Sequence, residues 1–336
     1  MPFSNPGSPT PSGSGLSQAQ LARARSYSYR LFSELFLQGI TAVSLPYIQQ
    51  IPELTAVLPK PYIADNAAAN HHELFQFNIF PYESFFLGED GLVGGDVTAV
   101  VNQHAFQLGW QTAVTNNQAD HLGHELACLA FLVTQEAEAS ESDQLAAAND
   151  WQTKQQFFLQ SHLLRWAPTC LLAIQQQANP FFAELAQVTL NLLLSHADEL
   201  ARSASAPPAF LPPVPDILAN DKTGFKEIVH FLLLPALSGI YLSRDTIGQL
   251  GRQFDLPRGF GSRETMLLNL LRTAVQYDAL PPLLRTLQEM CRSWQSGYQE
   301  LINQYPKTAL FIQPWQARAA ATEQMVLALM ESSIAE

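Results

Sequence analysis

Charge is scarce in this sequence. Only 14% of its 336 residues are Asp, Glu, Lys or Arg, where roughly 25% is usual for a soluble domain. Basic residues are the scarcer sign, 18 against 30 acidic, which gives a net charge of −12. A general nucleic-acid binder needs a basic surface to displace counterions, and this composition does not offer one. Cysteine is scarce too. Cys128, Cys170 and Cys291 are far apart and form no CxxC pair. That argues against a structural zinc site and a disulfide framework, and favours a reducing compartment. The longest apolar stretch, Ile228 to Leu242, is interrupted by His230 and Pro235. It falls short of the ~20 residues that cross a bilayer, so no membrane insertion is expected. No run alternates apolar and polar residues for long enough to build a sheet. Walker A, GxGxxG, GxSxG and HExxH patterns are all missing, so the commonest nucleotide, hydrolase and zinc-protease sites have no footing.

What is present is helical. With 47% apolar residues the chain can fill a sizeable core, and its length suits two domains. Residues 1–16 are rich in Pro, Gly and Ser and read as a disordered tail rather than a signal peptide. From Ser17 onward, Leu21, Tyr27, Leu31, Leu35 and Phe36 recur at three- and four-residue steps and predict an amphipathic first helix. Further helices are predicted from about Thr98 to Gly109 and from Asp120 to Glu138, where Asp120 is placed to cap the N-terminus. Residues 150–178 form another helix or a kinked pair with Pro168 as the kink or boundary, and Phe181 to Leu200 one more. Residues 202–216 hold five prolines and read as a stiff linker. A smaller helical module follows over 217–336, with Ser243 and Ser262 as N-caps. The expected architecture is all-α, a helical-bundle domain over 17–201 and a smaller all-α module after the linker. Residues 1–216 carry seven Lys/Arg against nineteen Asp/Glu, whereas 217–336 carry eleven of each. All the acidity therefore lies before the second module, which suits a basic partner.

Two His/Glu clusters stand out, His71-His72-Glu73 and His121-Leu-Gly-His124-Glu125. On a helix His121 and Glu125 share a face and His124 points elsewhere. A third ligand from His72, His104 or His162 would make this a metal-dependent enzyme. The plainer reading has His121 as a helix-start residue oriented by Glu125, with no metal and no cofactor. The segment SRDTIGQLGRQFDLPRGFGSRETMLLNLLR carries Arg244, Arg252, Arg258, Arg263 and Arg272 against Asp245, Asp255 and Glu264. It reads as a nucleic-acid adaptor, as a surface that docks a protein, or as a cover for the first domain's apolar face.

Four segments, taken in order, resemble the TorD/DmsD family (with its NarJ-type members) of cytoplasmic chaperones for molybdenum-containing redox enzymes. They are Arg25-Ser-Tyr27-Ser-Tyr29-Arg30-Leu31-Phe32; Pro81-Tyr82-Glu83-Ser84-Phe85-Phe86 with a glycine-bearing loop after it; Asp120-His121-Leu122-Gly-His-Glu125-Leu126; and Phe158-Leu159-Gln-Ser-His162-Leu163-Leu-Arg-Trp166. The resemblance covers roughly residues 20–200. It implies an all-helical domain and a non-enzymatic activity: binding the twin-arginine signal peptide, or the apo catalytic subunit, of a molybdopterin-dependent oxidoreductase, so that export waits for cofactor insertion. It also implies a cytoplasmic location. The peptide-binding residues it suggests are Tyr82, Glu83, Ser84, Phe86, Asp120, His121, Glu125, His162 and Trp166.

A physical reading agrees. A receptor for two adjacent guanidinium groups and an apolar stretch needs carboxylates and an apolar groove. Asp120 and Glu125 on the rim of a helix, with Glu83, Glu89, Asp90 and Asp96, would supply the first. Phe75, Phe77, Phe80, Tyr82, Phe85, Phe86 and Trp166 would supply the second. Each residue has a structural counterpart role. Asp120 serves as a cap, Glu83 as a buried carboxylate holding the loop to helix ends, and His162 and Trp166 as packing residues. The chain is expected to be a monomer or a dimer that exchanges helices.

Overall fold

The apolar stripes read from the sequence become helices that bury those stripes against one another. The computed structural model describes residues 17–111, 118–201, 209–220, 222–257 and 259–335, and the fold is all-α. Among the described residues the only extended pairing is one isolated antiparallel bridge between Tyr82 and His121. The predicted tail, residues 202–208 of the predicted linker and Arg258 lie outside the described residues.

Helix α1 (Gln18–Gln38) begins at Ser17, whose hydroxyl accepts the Gln20 N–H while the Gln20 side chain accepts the Ser17 N–H. This reciprocal pairing satisfies two donors that a helix start otherwise leaves free. Prolines then cut the chain into α2 (Leu45–Ile48) and α3 (Pro52–Val57), followed by α4 (Ala64–Glu73) and a π-helical turn at Leu74–Asn78. The short α5 (Glu83–Leu87), α6 (Asp96–Gln107) and α7 (Leu122–Glu141) carry the motif residues. Helix α8 (Leu145–Phe158) runs through a π-helical turn at Leu159–Leu163 into α9 (Leu164–Gln175), and α10 (Pro180–Leu200) follows. Pro168, the expected kink or boundary, is not a boundary, since it lies inside α9. The irregularity falls upstream, at the wide turn that carries His162. Such turns re-aim side chains without ending a helix.

Helices α1 and α7 pack along each other. Gly123 allows the start of α7 to close on α1, since a Cβ there would stand 2.5 Å from Leu37 Cγ. A fully buried polar chain crosses the bundle behind this pair. Tyr29 Oη meets His196 Nδ1 at 3.0 Å, His196 Nε2 meets Gln155 Oε1 at 3.0 Å, and Gln155 Nε2 donates to Glu136 at 3.0 Å. Because the Gln155 amide nitrogen serves Glu136, its oxygen must accept from His196, which fixes the neutral tautomer with Nδ1 accepting from Tyr29. Burial, and then Arg25, push the His196 pKa well down, consistent with that tautomer. Glutamine here does inside the protein what charge cannot do cheaply.

Beyond the linker come α11 (Phe225–Leu233), α12 (Pro235–Ser238), α13 (Arg244–Gln253), α14 (Arg263–Gln276), α15 (Leu280–Gln304) and α16 (Ala309–Ala335). Ser243 and Ser262 cap α13 and α14 as predicted, accepting from Thr246 N and Thr265 N at 3.0 and 3.2 Å. These helices close onto the first bundle. Trp315 Nε1 donates to Arg165 O at 2.8 Å and Tyr241 Oη donates to Asn78 O at 2.8 Å, while Tyr298 Oη, which donates to Gly239 O at 2.8 Å within the second module, lies 3.4 Å from Thr169 Oγ1 of α9. Trp315, Tyr241 and Tyr298 are buried in one apolar core continuous with that of α1–α10. Burial of each such side chain contributes on the order of 2–3 kcal/mol. Of the three readings of the second module, covering an apolar face of the first is what the packing displays.

Candidate functional site

The motif residues converge from three segments that the sequence separates widely, at the starts of α5 and α7 and at the π-helical turn leading into α9. The isolated bridge sets the frame: Glu83 N donates to Asp120 O, and Leu122 N to Pro81 O, each at 2.9 Å. This clamps the start of α5 against the start of α7. The Asp120 side chain then enters α5 rather than its own helix. Its Oδ2 accepts from Ser84 N at 3.0 Å and from Ser84 Oγ at 2.5 Å, and its Oδ1 accepts from Thr98 Oγ1 at 2.7 Å. Ser84 Oγ in turn accepts the Gly94 N–H at 3.0 Å. One carboxylate thus ties α5, α6 and the end of the glycine-bearing loop together, with its charge at a helix N-terminus where it is favoured.

The expectation that Asp120 caps α7 is corrected on this point. His121 is the N-cap residue, and its Nδ1 accepts from Gly123 N at 3.0 Å. That acceptor role requires the neutral ring. Burial, then the nearby His124 and His71, depress the His121 pKa to about 3. Nor does Glu125 orient His121. The Tyr82 ring stands edge-on to it at 4.9 Å between centroids, and Glu125 turns the other way.

Glu83 and Glu125 form the deeper half of the site. Glu83 Oε2 accepts from His162 Nδ1 at 2.9 Å, and His162 Nε2 lies 2.9 Å from His104 Nδ1. A neutral His162 that donates to Glu83 accepts from His104, giving a chain from the interior to a half-buried ring. Glu125 Oε2 accepts from Trp166 Nε1 at 3.3 Å, while Oε1 is buried without a hydrogen-bond partner. Burial foremost, then the charges of Glu83 and Asp120, hold the Glu125 carboxyl well above the usual carboxylate range. A proton on Glu125 relieves both the desolvation and the repulsion.

Of the nine residues singled out in the sequence, the structure gathers all into this cluster, and only Tyr82 is more than marginally exposed. Asp120 and Glu125 were expected on a helix rim, but they are 0% and 1% exposed. Asp120 is held inside by Ser84 and Thr98, whereas Glu125 keeps one bond from Trp166 and is accommodated there by the proton that burial favours. Glu83 is a buried carboxylate, as one reading has it, but it ties α5 to the π-helical turn through His162, and the loop is held by Ser84 instead. The exposed acids are Glu89, Asp90 and Asp96, on or beside the loop. Of the aromatics, Phe75, Phe85, Phe86 and Trp166 are core, Phe80 and Tyr82 are half-buried, and Phe77 is exposed. Phe86 stacks on Tyr241 of the C-terminal module at 5.6 Å and 20°. The sequence marked Thr98 only as a helix start and His104 only as a candidate metal ligand; their places beside Asp120 and His162 carry no motif of their own. Among the described residues, no group of three or more His, Cys, Asp or Glu is arranged to hold a metal ion.

Residues 44–171 match the family model for the nitrate reductase delta subunit. The match covers that stretch and not the rest of the chain, so it is a likeness of residues 44–171 to the family. The family is one of redox-enzyme maturation chaperones. The matched region contains α5, α6, α7 and the π-helical turn with His162, so the whole cluster falls within it. No curated protein and no solved structure matches the chain. Among the described residues, no helix is long and apolar enough to cross a membrane.

Proposed function

We propose that this protein is a cytoplasmic, non-enzymatic chaperone of a molybdopterin-dependent oxidoreductase. It binds the twin-arginine signal peptide or the apo catalytic subunit and delays export until the cofactor is in place. The observation that carries the reading is that the family match and the hydrogen-bonded cluster coincide. The cluster is a foundation and not a contact surface. Asp120, Ser84 and Thr98 hold the loop at 88–95 to three helices, Glu83 and His162 tie α5 to the π-helical turn, and the loop presents Glu89, Asp90, Leu92 and Val93 to solvent. Tyr82 joins the recognition surface, while Glu83, Ser84, Phe86, Asp120, His121, Glu125, His162 and Trp166 act beneath it. Exposed carboxylate–arginine pairs contribute only ~0–1 kcal/mol each, so apolar contacts supply most of the affinity and charge sets on-rate and selectivity.

Calorimetric titration with a twin-arginine signal peptide and its Lys-Lys variant tests this. Binding of the Arg-Arg form at tens of micromolar or tighter is expected, with the Lys-Lys form severalfold weaker, because an ammonium lacks the planar fork that meets carboxylates in pairs. Absence of binding by either peptide removes the signal-peptide reading.

A further inference from the structure

A groove crosses the seam between the motif loop and the C-terminal module. Asp90, Leu92 and Val93 form one wall, and Ser262 and Glu264 at the start of α14 form the other. It encloses about 550 Å³ and continues past Phe77 and Arg244 into a second hollow of about 600 Å³ beside Phe260. The apolar side chains along it lie open to water. Leu92 is 66% exposed, Val93 45%, Phe77 44% and Phe260 94%. A contiguous apolar strip of this kind, rimmed by polar groups, is contact area for a partner.

The two arginines nearest the floor are already engaged. The Arg263 guanidinium lies 5.0 Å from the Phe85 ring, 5.1 Å from Tyr241 and 5.6 Å from Phe80, and Nη1 donates to Leu242 O at 3.1 Å. Arg244 lies 5.6 Å from the Phe77 ring. Both are half-buried. The exposed charges on the walls are the carboxylates Glu73, Asp90, Asp245 and Glu264, against Arg252. The groove therefore shows a partner an apolar strip with an acidic margin.

The geometry points to this groove as the seat of an extended protein segment that carries paired arginines followed by apolar side chains. The C-terminal module thereby supplies the second wall of the binding site. The inference rests on the signal-peptide reading above and locates it. Arginines meet the acidic margin at Asp90 and Glu264, and the apolar run lies over Leu92, Val93, Phe77 and Phe260. An acidic segment or a nucleic acid would meet the same carboxylates unfavourably.

The test uses the full chain and fluorescence anisotropy with a labelled 20-residue synthetic peptide, Arg-Arg followed by Leu, Phe and Ala. Parallel arms use a Glu-Glu version and a single-stranded DNA oligonucleotide. The double reversal Asp90→Arg, Glu264→Arg is expected to weaken the Arg-Arg peptide at least tenfold. Phe260→Ser should weaken it threefold or more, and that side chain is almost wholly in water, so the fold does not depend on it. If wild type binds the peptide and both variants stay within twofold of it, the groove is the wrong place while the signal-peptide reading stands. If wild type does not bind the peptide, both fall together. Tighter wild-type binding of the Glu-Glu peptide or the oligonucleotide overturns the assignment of this groove.

Discussion

At the residue scale the site is a set of buried polar groups, some paired and one, Glu125 Oε1, unpaired, and their removal has distinct costs. Asp120→Ala leaves Ser84 N, Ser84 Oγ and Thr98 Oγ1 without their acceptor. Each buried group left unpaired costs roughly 1–3 kcal/mol, so a loss of about 3–5 kcal/mol is expected in denaturant unfolding, with Asp120→Asn milder. A loss below about 1 kcal/mol for the alanine variant would show that Asp120 is not the tie. Glu125 and His121 predict opposite pH limbs. The folded-state pKa of Glu125 is raised, so its contribution to stability is full below the ordinary carboxylate range and declines as pH rises toward neutrality. Glu125→Gln keeps an acceptor for Trp166 and needs no proton. It should raise the melting temperature at pH 7 and flatten the curve above about pH 4.5. The His121 pKa is depressed from 6.5 to about 3. Its contribution is full above 6.5 and is lost as pH falls toward 3. His121→Asn, which keeps an N-cap acceptor, should soften that acid limb, and an unchanged melting profile between pH 6.5 and 4 would contradict the neutral-cap role.

At the element scale, the helix starts at Ser17, Ser243 and Ser262 were legible because cap and helix are neighbours in sequence. Ser17, Ser243 and Ser262 each accept from the third residue onward, a geometry that local spacing alone determines. Asp120 looked the same and is not, because its target is α5, 36 residues upstream, and nothing local marks that pairing. The same limit applies to the site. The sequence singled out its motif residues, but whether a carboxylate faces water or a neighbouring helix depends on packing at long range. Pro168 ends no helix for a related reason, since the bundle accommodates it within α9, and the irregular turn lies at His162. The connection from α12 toward α13 carries its own prediction. Gly239 has φ +70°, and a Cβ there would stand 2.4 Å from Ala319 N on α16. Gly239→Ala combines that clash with a left-handed backbone. It should cost on the order of 2–4 kcal/mol and disturb the Tyr298 hydrogen bond to the same carbonyl. A wild-type melting temperature would contradict this close approach.

At the scale of the whole molecule, the acidity and the packing describe different divisions. By charge, the chain splits near residue 216 into an acidic part and a neutral one. By burial it does not split, because Trp315, Tyr241 and Tyr298 seal the second part onto the first. A continuous apolar core favours cooperative unfolding. Calorimetry of the full chain is expected to give one transition, and two well-separated transitions would contradict the continuous core. The neutral part therefore serves twice, closing the core and walling the groove opposite the acidic loop.

Hydrogen–deuterium exchange of the full chain, with and without a twin-arginine peptide, tests the central claim most directly. Backbone amides of 88–95 and 259–264 should slow on binding, while those of Glu83, Ser84 and Leu122, already held in the cluster, should be protected in both states. Protection confined to other surfaces, such as the hollow beside Tyr27 and Tyr47, or no change anywhere, would contradict the account.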